Sequence, residues 1–208
     1  MIDPADIDLA EFLTTWHGPP TKCAITIPSS FDWLPSSLRG WHSITSQWDA
    51  RLTFMTNMVS LERIKVADDG MAIFMLDPTG DWRWCFDPAE PDTVLGAEEY
   101  EVWKRIPEPF AEFLVHCAVK DVFYGTGATM RAFAVQEEAL SEILRPLEEI
   151  AFAEWQWPSP GYRNFMGENL LVEIVRSKLG TGWQVKTAAT DFDRLSVFEN
   201  TAEVHWRK

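Results

Sequence analysis

The chain has 208 residues, which fits one α+β unit with a long C-terminal extension and is enough to bury a real core. Its 18 Lys+Arg against 32 Asp+Glu give a formal charge of −14; phosphate backbones bind through Lys and Arg, so direct nucleic-acid contact is disfavoured and a basic partner favoured. Cys23, Cys85 and Cys117 are odd in number, widely spaced and without a CxxC pair, which argues against a disulfide framework or a zinc site and fits a reducing compartment.

The first residues, Met1-Ile2-Asp3-Pro4-Ala5-Asp6, carry acids where a secretory signal carries bases. Asp3 followed by Pro4 predicts a helix start, and Leu9, Phe12, Leu13 and Trp16 recur at helical spacing until Gly18-Pro19-Pro20 ends the pattern. Residues 19 to 37 are rich in Pro and Ser and read as a loop with one short strand near 24–27; a second helix is expected over 36–48. Residues 71–76 form the longest clean apolar run, too short to span a bilayer but suited to a central strand. The expectation is therefore a cytoplasmic chain with no membrane partner.

Asp77-Pro78-Thr79-Gly80 has the chemistry of a type I turn, and beyond it Trp82, Trp84 and Phe86 alternate with Arg83 and Cys85. This pattern predicts a β-hairpin with one aromatic face. A helix is expected from Pro107, with Pro107 and Pro109 at its start, Glu108 and Glu112 near its positive end, and Phe110, Phe113, Leu114, Cys117 and Ala118 on one face. A further helix over 137–150 must end or kink at Pro146. Residues 169–176 and 183–189 read as strands joined by a Gly-containing loop, followed by a short helix near 191–198 and a terminal strand near 204–206. The sequence shows no internal repeat and no interdomain linker.

An apolar strand, a turn, Gly80-Asp81-Trp82-Arg83-Trp84-Cys85-Phe86-Asp87-Pro88, an acidic stretch over 92–101, Trp103 and Phe110-Ala111-Glu112-Phe113-Leu114 follow one another in this order. This series resembles the SUKH superfamily, which groups yeast cell-wall assembly regulators with bacterial toxin-immunity proteins. The likeness covers about residues 30 to 125. Residues 126–208 look like the C-terminal part of some bacterial members, with Arg145-Pro146-Leu147 and then Trp155-Gln156-Trp157-Pro158. The commoner bacterial Glu-Asn-Gln-Gly turn is here Asp77-Pro78-Thr79-Gly80, and the LPxx(L/Y) entry is Leu34-Pro35-Ser36-Ser37-Leu38. The resemblance implies a single SUKH-like domain over residues 1–208, with 126–208 as a C-terminal α/β extension packed on the core. It implies an α+β fold with a twisted, largely antiparallel sheet flanked by helices, serving as a protein-binding scaffold. Many bacterial members look like immunity proteins that neutralise toxins, frequently nucleases.

Eight of the acids, Asp77, Asp81, Asp87, Glu90, Asp92, Glu98, Glu99 and Glu101, fall between residues 77 and 101, against Arg83 as the single base. The segment reads either as a solvated rim or as a docking surface for a basic partner, where complementary charge speeds encounter. On the docking reading the partner-binding residues are Asp81, Asp87, Glu90, Asp92, Glu98, Glu99 and Glu101, edged by Trp82 and Trp84. Those two Trp, with Phe86, also suit a core, since one face of a hairpin must be covered.

No arrangement in the sequence demands catalysis. Gly125-Thr126-Gly127-Ala128-Thr129 follows a predicted helix and lacks both the Walker Lys and the GxGxxG pattern, so it reads as a helix stop. His17, His42, His116 and His205 are dispersed without metal-ligand spacing, and Ser36, Ser37 and His42 lack a GxSxG elbow. Asp191 with Asp193, or Glu98 with Glu99, cannot be assigned as acid and base without a pocket. The expectation is a non-enzymatic, cofactor-free immunity protein that meets a basic toxin domain, such as a nuclease. A regulatory adaptor without a toxin partner is the alternative, and an enzyme with an unrecognised site comes third.

Overall fold

The computed structural model describes residues 1–125, 127–177 and 180–208; Thr126 of the glycine-rich run and residues 178–179 of the loop between the two C-terminal strands lie outside them. Asp77 closes the turn that the sequence predicts. Its backbone carbonyl accepts from the Gly80 N–H at 3.2 Å, and its carboxylate accepts from the Trp82 N–H at 3.1 Å and the Thr79 hydroxyl at 2.8 Å. Gly80 takes a φ of +83°, a region that a side chain would oppose. The turn joins β2 (Ala72–Leu76) to β3 (Trp82–Asp87), and the chain continues through β4 (Glu90–Glu98) and β5 (Lys104–Pro109). With β1 (Asn57–Met58) beside β2, these strands form an antiparallel sheet in sequential order.

Three helices accompany this sheet: α1 (Leu9–His17), α2 (Ser36–Thr45) and α3 (Phe110–Gly125). Several expected boundaries move. Asp3 and Pro4 start only a 3-10 turn, Pro4–Asp6; the chain then runs extended, and a second cap, Asp8, accepts from the Glu11 N–H at 2.8 Å to begin α1. No strand forms near 24–27, and α2 stops at Thr45. Pro107 and Pro109 lie in β5, so the helix begins only at Phe110. β5 is an edge strand, the one place in a sheet where a missing N–H need not break a ladder.

The chain divides into two compact units, Asp8–Gly125 and Met1–Ile7 with Thr126–Lys208. The second holds β6 (Thr129–Val135), α4 (Glu137–Leu144), β7 (Glu148–Glu149), β8 (Arg163–Gly167), β9 (Leu170–Arg176), β10 (Trp183–Ala189) and α5 (Phe192–Glu199). Its sheet is antiparallel in the order β6-β10-β9-β8-β7. The predicted C-terminal strands are β9 and β10, and α4 stops before Pro146 as its ring requires. The core of this unit gathers Met130, Ala132, Leu140, Ile143, Val172, Ile174, Val185, Leu195 and Phe198. The N-terminal segment joins it through Ile2, whose N–H donates to the Glu149 carbonyl at 2.8 Å. The expected terminal strand is reduced to one bridge, Arg131 to Arg207. The α+β class thus holds, and each unit carries one five-stranded antiparallel sheet. Among the described residues, no helix is long and apolar enough to cross a membrane.

In the unit Asp8–Gly125, α3 meets the sheet through aromatic rings. Phe74 lies 4.6 Å from Phe110 and edge-on to Phe113 at 6.0 Å, while Trp84 lies 6.3 Å from Phe113. Phe110, Phe113 and Leu114 are all buried, as the helical face predicts. Aromatic pairs in such offset and edge geometry add to the burial of the rings themselves. Phe113→Ala is expected to cost about 3 to 5 kcal/mol in denaturant unfolding. A loss below about 1 kcal/mol would contradict this packing.

On the same helix Asp121, 1% exposed, reaches the loop before β1. One carboxylate oxygen accepts from the N–H groups of both Phe54 and Met55 at 2.6 Å; the other, Oδ2, is buried without a partner. Burial pushes the carboxyl up to about 6, against the opposing pull of those two N–H groups, Arg51 and Lys120. An unfolded Asp titrates near about 3.9, so the folded chain binds this proton more tightly. The resulting stabilisation is complete below about pH 4 and is lost as pH rises through about 6, a change of order 3 kcal/mol. Asp121→Asn cannot titrate. Between pH 4 and 7, wild type should therefore lose about 2 to 3 kcal/mol of unfolding free energy relative to this variant, and parallel pH profiles would contradict the assignment.

Candidate functional site

The β3–β4 hairpin sorts the acids of the candidate surface to its two ends. At one end Asp81 leads into β3, and Glu98, at the end of β4, stands opposite Trp82. The Glu99 N–H donates to the Asp81 carbonyl at 2.6 Å, and Glu101 N–H donates to the Glu98 carbonyl at 3.0 Å. These bonds gather Asp81, Glu98, Glu99 and Glu101, all exposed, around the β4–β5 turn. At the other end Asp87 pairs with Glu90 across a two-residue loop, where the Asp87 carboxylate accepts from the Ala89 N–H at 2.8 Å. Asp92 follows, exposed, two residues further along β4. Strand residues rise about 3.3 Å each, so the two groups are separated by roughly 17 Å along β3. The seven acids thus make two patches. Asp77 belongs to neither, being buried and occupied by its own turn.

Trp82 and Trp84 divide as well. Trp84 is 1% exposed against Phe113, so its ring is core and presents nothing to a partner. Trp82, half-buried, lies 6.4 Å from Trp84 at the edge of that core. Gly96 makes room for both rings: a Cβ there would meet Trp82 Nε1 at 3.2 Å and Trp84 Cδ1 at 3.3 Å. On the opposite face, the Arg83 guanidinium sits 5.1 Å over the Trp103 ring, and Trp103 Nε1 donates to Asp69 at 3.0 Å. That bond, with a second from the Met71 N–H, holds the Asp69 carboxyl below its ordinary value. Cys85, buried on this face, has its thiol pushed up to about 12 by burial, so it is not a reactive thiolate.

The structure adds two residues to the first patch. Tyr100 is 90% exposed and Val102 79% exposed, at the tip of the turn between Glu98 and Lys104. Tyr100 has a φ of +71°, a left-handed backbone that costs a non-Gly residue about 1 to 2 kcal/mol. The signal was present as an aromatic inside a run of acids. Reading it required β4 and β5, whose Pro91, Pro107 and Pro109 hide them as strands.

The residues weighed for catalysis stand in structural settings. His17, His42 and His116 lie on three different helices, and His116 is buried 2.9 Å from Glu108. Ser36 and Ser37 open α2, while the Asp191 carboxylate caps α5 by accepting from the Arg194 N–H at 3.0 Å. Among the described residues no three His, Cys, Asp or Glu side chains come together to hold a metal ion. No protein-family model matches the chain, and no curated protein and no solved structure matches it. The resemblance to SUKH proteins therefore rests on the motif residues alone.

A ring that is almost wholly in solvent contributes little to folding, whereas its backbone carries strain. Tyr100→Gly should leave the thermal midpoint unchanged or raise it, since relief of the left-handed strain offsets the added entropy of an unfolded Gly. A loss above about 1 kcal/mol would mean that the ring packs on the fold.

Proposed function

We propose that the chain is a non-enzymatic protein-binding module that docks a basic partner through the β4–β5 turn, with neutralisation of a toxin domain as its role. The observation that carries this reading is Tyr100, held out in solvent on a strained backbone amid Glu98, Glu99 and Glu101. Tyr is a frequent anchor of interface energy, because a large, rigid, amphipathic ring is buried at low entropy cost. The acids around it supply what an anchor lacks, long-range attraction that raises the encounter rate and rejects acidic competitors. The patch formed by Asp87, Glu90 and Asp92 extends the same field at the far end of the hairpin. A basic toxin domain, such as a nuclease, has the complementary charge, and the SUKH resemblance supplies the immunity role. The cytoplasm is the compartment we infer, a reading supported by three cysteines without disulfide partners.

The test uses the neighbouring gene product, or a partner recovered by affinity capture from the source cell. Reversing Glu98, Glu99 and Glu101 to Lys should change folding stability by less than about 0.5 kcal/mol for each exposed site. At low salt, association should slow by about tenfold or more and lose most of its salt dependence. A triple variant that bound with unchanged rate and salt dependence would make the turn a solvated rim and move the interface elsewhere.

A further inference from the structure

A surface of the opposite sign belongs to the other compact unit, on the outer edge of β6. One bridge crosses that edge: the Arg131 N–H donates to the Arg207 carbonyl at 2.9 Å, and the Arg207 N–H donates to the Arg131 carbonyl at 2.8 Å. Two residues that exchange both bonds face each other across about 5.5 Å and send their side chains to the same side of the sheet. Both arginines are exposed, so two guanidinium groups stand together in solvent. Like charges placed directly opposite destabilise a strand pair. Among the described residues neither guanidinium has a carboxylate partner, in a chain with 32 acids against 18 bases. Arg163, Arg176, Arg194 and Lys208 of the same unit each hold one.

Phe133 extends the pair into an apolar patch. From Ala132 to Val135 β6 advances three residues while β10 advances two, from Val185 to Trp183, so β6 carries a bulge of one extra residue. Within it Ala134 takes a φ of +58°, a left-handed backbone that its side chain opposes. Bulges re-aim side chains, and here the Phe133 ring is left 49% exposed with the Arg207 guanidinium 5.6 Å over it. A like-charge pair, a solvated ring and a left-handed residue each work against folding, and all three fall within residues 131–134 and 207. The contact of Arg207 with the ring offsets part of this and does nothing for Arg131.

These three side chains decide what suits them. Paired guanidinium groups offer planar donors to carboxylates, and the ring beside them takes an apolar side chain. All three are exposed rather than recessed, which suits an extended segment spread over the surface more than an enclosed small molecule. A nucleic-acid strand brings charge along its whole length and meets a chain of net charge −14, whereas a short acidic peptide concentrates its charge on the two arginines. We propose that Arg131, Arg207 and Phe133 form a docking surface for an acidic peptide segment of a partner protein, two carboxylates meeting the guanidinium groups and an apolar side chain covering the Phe133 ring. This surface does not depend on the docking reading of the acidic turn.

The probe is the end-blocked peptide Glu-Glu-Leu-Glu-Glu, added at low salt to the isotope-labelled full chain, with Gln-Gln-Leu-Gln-Gln and a short oligothymidylate as controls. The acidic peptide should shift the Cδ resonances of Arg131 and Arg207 and the ring resonances of Phe133 saturably, with a Kd of the order of a few millimolar that rises with salt. The Gln peptide should bind about fivefold to tenfold more weakly, as loss of two exposed ion pairs predicts, and the oligothymidylate should produce no saturable shift. Arg131→Glu places opposite charges across the bridge, so it should keep or raise the thermal midpoint while it abolishes the peptide-induced shifts. Arg207→Gln should weaken the peptide by about twofold to fivefold, and it carries the test should Arg131→Glu fail to fold. The proposal is overturned if the acidic peptide causes no saturable shift, if either control binds as well, or if either folded variant binds the peptide undiminished. Dilution of the chain alone should leave these resonances in place; movement would assign the surface to a second copy of the chain and overturn the proposal too.

Discussion

Phe113 stands where the first unit is joined together, edge-on to Phe74 of β2 and against Trp84 of β3. The ring is fully buried, and the neighbouring Phe110 repeats the arrangement by meeting both Phe74 and Phe86. Two strands and one helix are thus tied by rings that approach within 4.6 to 6.4 Å. A meander of short strands cannot bury a face by itself, so its register depends on such a helix being present. Everything presented by the hairpin, the acidic ends included, takes its position from this contact.

The same contact explains why the aromatic face and the acidic rim are different surfaces. A strand alternates its side chains, so Trp82, Trp84 and Phe86 point toward the helix side while Arg83 and Cys85 point away. The acids occur at the ends of β3 and β4, where turns leave the ladder and carboxylates can remain in water. The carboxylates of Asp77 and Asp87 accept backbone N–H bonds that shape their turns, whereas Glu98, Glu99 and Glu101 shape theirs through the backbone alone. Side-chain charge thus serves the fold at Asp77, serves a turn while facing the hairpin end at Asp87, and has no part in the turn at the three Glu.

Buried polar groups make α3 more than an apolar prop. Glu108 and His116 lie 2.9 Å apart with little solvent contact, and Asp121 fastens the loop before β1. Removing one partner of such a group strands the other in a medium of low polarity, which costs more than the pair contributes. These residues bind distant parts of the chain into a specific arrangement.

Local chemistry was legible wherever it acts over a few residues. Asp77-Pro78-Thr79-Gly80 declared its turn, Trp82 to Phe86 their alternation, Phe110, Phe113 and Leu114 their buried helical face, and β9 and β10 their strands. The strands β4, β5 and β6 were not legible, because prolines in the first two and the glycine run before the third read locally as loop or helix start. Only pairing makes them strands, β4 with β3, β5 with β4 and β6 with the distant β10, and a pairing partner is not written in the composition of the strand itself. For the same reason the run of acids looked continuous in sequence, while in space the length of one strand splits it in two. The exposure of Tyr100 and the division of Trp82 from Trp84 belong to the tertiary structure alone, since each depends on which side chains arrive beside the ring. Composition determined the excess of acids, because it is a sum over residues; the fold decided which of them stand exposed and together, because that depends on strand pairing.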